Sequence, residues 1–153
     1  MKKLSLLLFA VVLFSCKTKA QYITIPDPNF KAYLQQKVPA CFNGLGQMDT
    51  TCNDLSFIDT LNVSYMNISD LTGIQYTYPI YFDCSHNQIS QFISPNYTSH
   101  INFSYNLLTS INVFNCSSLN CSHNLITNIG SFGTSNTHDI NCSYNQLISL
   151  PPM

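Results

Sequence analysis

The sequence predicts a solenoid: a parallel β-sheet of short strands on a concave face, a mostly irregular or 3-10 return side, and an α-helical cap at the N-terminal end. Three observations predict it. The pattern apolar-x-apolar/Cys-Ser-x-Asn-x-apolar-x-x-apolar runs four times, from Phe82, Ile101, Leu119 and Ile140, and once more, degenerately, from Leu61. Its asparagines, Asn87, Asn106, Asn124 and Asn145, step by 19, 18 and 21 residues, and Met66 holds the same place 21 residues before Asn87. A segment of helical periodicity precedes the first copy.

In chain order, the first stretch reads as an export signal and not as part of the fold. Lys2 and Lys3 are followed by an apolar run from Leu4 to Phe14, too short for a stable membrane span. Two cleavage sites compete. Leu13-Phe14-Ser15-Cys16 resembles a lipobox, which makes residues 1–15 a lipoprotein signal and Cys16 the lipidated residue. Thr18-Lys19-Ala20 offers the small residues of a general signal peptidase site, which makes residues 1–20 the signal and Gln21 the new terminus. Both readings export the chain, to a secreted or an outer-membrane and cell-surface location. No second segment of this kind follows, so no transmembrane segment is expected, and a lipid anchor is the alternative tether.

Cleavage after Ala20 leaves Lys31 and Lys37 against seven aspartates, a net charge of −5, with no arginine or glutamate anywhere. Two cations cannot neutralise a phosphate backbone or hold an anionic lipid surface, so nucleic acid is not an expected partner.

Residues 21–58 form the predicted cap. Asp27 is a good N-cap, Pro28 suits the first helical turn and Pro39 stops the run, so a helix is expected over 27–38. Phe30, Tyr33, Leu34 and Val38 share one face of it. Residues 59–153 form the solenoid, in about five repeats. In each repeat the apolar-x-apolar pair is a strand with two inward side chains. The ladder asparagine then turns its amide inward, to satisfy backbone groups of its own turn and of the next. The later apolar pair closes the core on the return side.

The repeat resembles the leucine-rich-repeat signature L-x-x-L-x-L-x-x-N/C-x-L. The opening Ile-Thr-Ile-Pro-Asp-Pro-Asn-Phe-Lys-Ala-Tyr-Leu (23–34) and the Ile-Ser-Asp-Leu-Thr-Gly-Ile motif (68–74) resemble the cap and first repeat of bacterial, internalin-like surface proteins. The resemblance covers roughly residues 22 to 150 and implies a binding function at the bacterial surface or outside the cell. In such proteins the cap loop often reads like a calcium loop. Here the stretch from Cys41 to Cys52 keeps only Asp49 as a carboxylate, which is too few oxygens for a hard cation. A Cys41–Cys52 disulfide is the expected staple in its place.

The remaining cysteines and the histidines invite chemistry, but their columns argue against it. Cys84, Cys121 and Cys142 share an inward position with Val63 and Phe103, as small hydrophobes do. Two strands separate His86 from His123, too far to chelate one ion. No metal, cofactor or catalytic residue is expected, and the chain is read as no enzyme. The binding candidates are the outward columns: Tyr65, His86, Tyr105, His123 and Tyr144 beside the ladder; Asp83, Asn102, Asn120 and Asn141 next to them; and Tyr81, His100 and Asp139 beyond. Tyrosine and histidine offer apolar area with a polar tip at low entropy cost. The expected function is protein–protein interaction or adhesion. The alternatives are glycan binding on the same face, and a structural or shortened repeat protein without its own ligand. No C-terminal cap is read after the last repeat, so either Pro151 and Pro152 blunt the end, or the open C-terminal edge meets a partner, self-association included, or the chain is a shortened member of a longer class.

Overall fold

The computed structural model describes residues 20–112, 116–130 and 138–149. The export signal up to residue 19, the Cys16 lipidation position, and Pro151 and Pro152 lie outside the described residues. Within them the chain is a parallel-strand β-solenoid with one α-helix.

The elements run β1 (Tyr22–Ile23), α1 (Pro28–Lys37), β2 (Met48–Asp49), β3 (Thr60–Asn62), β4 (Tyr81–Asp83), β5 (His100–Asn102), β6 (Ser110–Ile111), β7 (Ser118–Asn120), β8 (Asn128–Ile129) and β9 (Asp139–Asn141). The main sheet has the order β3-β4-β5-β7-β9, all parallel, with one strand from each repeat. The register aligns Leu61, Phe82, Ile101, Leu119 and Ile140 in one inward column. Val63, Cys84, Phe103 and Cys121 form the second inward column and are fully buried. Ile68, Ile89, Leu108 and Ile126 form a third, also fully buried. Each buried aliphatic contributes roughly 1.5–3 kcal/mol, so three inward columns per coil make stacking favourable where one coil alone could not fold. The return side is short-stranded or 3-10 as the repeat length requires: β6 pairs with β8 in parallel, and Ile74–Tyr76 is a 3-10 turn.

The ladder asparagines are where expectation and structure part in direction. Asn106 Nδ2 donates to Phe103 O (3.1 Å) and Ser104 O (3.3 Å) in its own turn, and to Cys84 O (3.0 Å) in the coil before. Its Oδ1 accepts from Ile89 N (3.0 Å), again in the coil before. Asn87, Asn124 and Asn145 repeat this arrangement. The amide therefore serves its own coil and the preceding one, not the next. That direction explains Met66. The first coil supplies the edge strand β3, so an amide there would have its own turn to close but no preceding coil to fasten.

The N-terminal segment meets the first coil through Asp27. Its Oδ1 accepts from Asn29 N and Phe30 N, both at 3.0 Å, and caps α1. Its Oδ2 accepts from Ser69 N (2.8 Å) and Ser69 Oγ (3.2 Å) in the first coil. Tyr33 adds its hydroxyl as acceptor for Asn62 N (3.3 Å). Phe30, Leu34 and Val38 are buried in one core with Leu55, Ile58 and Leu61. β1 pairs antiparallel with β2, and a Cys41–Cys52 disulfide brackets the loop that leads into β2. Gly73 has φ +111° beneath Ile25, where a Cβ would collide with Ile25 Cδ1.

Burial works to raise the Asp27 pKa, but the donors from Ser69, Phe30 and Asn29 outweigh it and hold the carboxyl below its ordinary value of 3.8. A depressed folded pKa stabilises fully above the unfolded value and is lost as pH falls through the folded one. Urea unfolding is therefore expected to be insensitive to acid down to about pH 5 and to weaken progressively below it. Asp27→Asn should reduce that slope and lower stability at neutral pH; an unchanged acid profile would refute the role given to this carboxylate. For the ladder, Asn106→Ala should destabilise by about 1–3 kcal/mol, because it strands the buried Ile89 N–H, whereas the Cys84 carbonyl keeps its bond from Asn87 Nδ2. Met66→Asn should change stability by less than about 0.5 kcal/mol. Urea denaturation of the two variants compares them directly.

Candidate functional site

Because side chains alternate across a strand, the first and third residue of each triple face outward beside the buried central one. The first residues form the row Thr60, Tyr81, His100, Ser118 and Asp139. The third form the row Asn62, Asp83, Asn102, Asn120 and Asn141. All of them but Asp139 and Asn141 of the last coil line an open groove of about 370 Å³ on the sheet.

The third-residue row is partly spent on the backbone. Asn62, Asp83, Asn102, Asn120 and Asn141 each turn Oδ1 to accept the backbone N–H of the serine two residues on, at 2.8–3.2 Å. At the four asparagines the serine hydroxyl donates to the same oxygen at 2.8 Å. These are Asx turns that end each strand. The Asx-x-Ser spacing was visible in every repeat and is the signal that assigns them this role. One carboxylate stands among the amides. Asp83 keeps Oδ2 on the groove side, where Asn102 Nδ2 donates to it at 3.1 Å, and a carboxylate oxygen has capacity for more than one donor.

The first-residue row has no such structural task. Tyr81 and His100 stack with ring centroids 4.6 Å apart and planes within 7°. The separation is close to the strand spacing of about 4.8 Å, so the two rings face one another from adjacent coils. The row neighbours on either side are the small residues Thr60 and Ser118. Each outer ring face is therefore left uncovered by its own row.

The Tyr/His column lies beyond the strands. Tyr65, His86, Tyr105, His123 and Tyr144 all sit in the turn, with φ between 54° and 57°. Their rings form one continuous stack, Tyr65–His86–Tyr105–His123–Tyr144, with centroids 4.1–4.2 Å apart and planes within 12°. The left-handed backbone costs a non-glycine residue roughly 1–2 kcal/mol, and two ring contacts at about 0.5–1.5 kcal/mol each offset it. The sequence showed the column but not the stacking. The consequence for binding is direct: inner rings have both faces occupied by neighbours and present only edges. The ring of Tyr105 separates His86 from His123.

Two of the thiols, Cys84 and Cys121, are held in the neutral form. Burial, with the Asp83 charge, pushes the Cys84 thiol well above its ordinary value. Burial, with the neighbouring Cys142, raises Cys121 to about 12. Both are neutral at physiological pH and pack as small hydrophobes. Among the described residues Cys41, Cys52 and Asp54 bring their ligand atoms within 4.8 Å of one another, yet the two sulfurs are joined in the disulfide and only the Asp54 carboxylate remains as a donor. No helix among the described residues is long and apolar enough to cross a membrane.

No protein-family model matches the chain, and no curated protein matches it.

If the ring stack offsets the strained turns, His123→Ala should lower stability by about 1–3 kcal/mol. Tyr144→Ala, which has one ring contact among the described residues, should cost about half as much. Equal and negligible losses in chemical denaturation would mean that the rings are ornaments of the turn.

Proposed function

We propose that this chain is a non-catalytic binding module of the leucine-rich-repeat type, exported to the cell surface or beyond, whose concave sheet takes its ligand. In this reading residues 21–58 cap the first coil, as the Asp27, Tyr33 and Phe30 contacts to it support. The observation that carries the reading is a division of labour among the outward side chains. Ladder asparagines, Asx turns and the inner rings of the ribbon are occupied by the fold. Tyr81, His100 and Asp83 Oδ2, which holds Asn102 and has room for a further donor, are open to a ligand on the sheet. The protein–protein and adhesion expectation and the glycan expectation both use this face.

The test is a binding panel of extracellular proteins and glycans against the purified exported chain. A double variant, Tyr81→Ala with Asn102→Lys, should weaken the binding found by roughly tenfold or more. Ser110→Lys on the exposed return side should leave it unchanged. Binding that survives the double variant but fails with Ser110→Lys would move the site off the concave face.

A further inference from the structure

We infer that the concave groove binds a neutral oligosaccharide along the solenoid axis, with one sugar ring lying on the outer face of Tyr81 above Thr60. This rests on the concave face being the binding face and names the class of ligand.

Four observations converge. First, Tyr81 is half exposed and stacks one face on His100 of the next coil, so its other face is turned toward the coil of Thr60, a small residue that leaves space beside it. The C–H face of a pyranose stacks on such a ring. The inner rings of the long ribbon cannot do this, since they are covered on both sides, and its end rings Tyr65 and Tyr144 do not line the groove.

Second, the polar groups around that space suit hydroxyls. Asn62 and Asp83 flank it in the adjoining row, and Thr60 adds a hydroxyl beneath it. Asp83 Oδ2 can take a charge-assisted hydrogen bond from a sugar hydroxyl while it holds Asn102. Amide beside carboxylate offers donor and acceptor to a pair of neighbouring hydroxyls.

Third, the lining of the Tyr81 groove contains no lysine or arginine, and Lys37 in the adjoining groove is outnumbered by Asp54 and Asp59. An anionic ligand would meet Asp83 without compensation, which selects a neutral one.

Fourth, a second groove of about 520 Å³ begins where the first ends. Thr60 lines both, and the second is bordered by Phe57, Pro39 and Ala40. Phe57 is largely exposed. Two contiguous grooves, each in or near the usual small-molecule range of about 300–1,000 Å³, with an aromatic residue in each, suit a chain of sugars better than one ring. A protein loop that stacks a side chain on Tyr81 is the rival occupant, and the test separates them.

The experiment titrates the purified exported chain with neutral glucan, mannan, xylan and chitin oligosaccharides from the disaccharide to the hexasaccharide, using NMR and calorimetry. One series should bind with affinity that rises with length. Tyr81→Ala and Asp83→Asn should each weaken it by roughly tenfold. Phe57→Ala should weaken the longer members and spare the shortest. Thr60→Phe, which extends the Tyr81–His100 stack into the proposed ring position, should abolish binding while the circular dichroism spectrum and unfolding midpoint are retained. Ile148→Ser, on a largely exposed residue of the last coil, should change nothing. Absence of binding by every series at millimolar concentration would overturn the inference, and so would oligosaccharide binding unaltered in Thr60→Phe. If a protein ligand is lost with Tyr81→Ala while no sugar binds, the oligosaccharide is wrong and the concave binding face stands. If ligands of both kinds ignore Tyr81→Ala, the binding face itself is wrong.

Discussion

The structure depends on one side-chain amide repeated four times. A coil of about twenty residues ends its strand in a tight turn, and that turn leaves carbonyls and N–H groups pointing into an apolar interior. Hydrophobic columns alone cannot repair this, since an unsatisfied buried polar group costs roughly 1–3 kcal/mol. Asn87, Asn106, Asn124 and Asn145 repair it with both ends of the amide, closing their own turn and fastening the coil before. Because the bond crosses between coils, the same group that completes a turn also sets the stacking register. Inward columns, strand pairing and ring stack all inherit that register.

The repeat, the helix and the inward columns were legible because each is a periodicity that the chain repeats or a cap with distinctive chemistry. Asp27 before Pro28 places the start of α1, and the Val/Cys/Phe/Cys column at 63, 84, 103 and 121 declares itself as core by the residues it accepts. Direction was less legible. Nothing in the spacing says whether an inward amide reaches forward or back, and only the loss of the asparagine at Met66, in the coil that has no predecessor, carries the answer. The Asx turns were spelled out by Asx-x-Ser in every copy, but the same asparagines also read as ligand contacts. The left-handed turn, φ near 55° at Tyr65 and its equivalents, is a backbone angle that tyrosine and histidine do not announce.

The two aromatic groups then divide the surface by geometry rather than by residue type. Both are tyrosine and histidine stacked at coil spacing. In the turn the stack is continuous, so its energy goes into holding the left-handed backbone. On the sheet it is two rings long and stops at Thr60 and Ser118. The short stack ends in open faces next to hydroxyls, amides and a carboxylate, which is the combination a recognition surface needs.

The backward reach of the ladder asparagine also bears on how such a chain can change its length over generations. A unit that brings the amide for the coil before it, and leaves its own turn for the coil after, is self-contained in sequence. Duplicating or deleting one such unit between Asn87 and Asn145 keeps every junction matched. A unit placed ahead of Leu61 would bring an asparagine with no strand to fasten and would separate Asp27 from Ser69. Growth is therefore open within the array and closed at the helix, so drift in coil number leaves the N-terminal junction untouched.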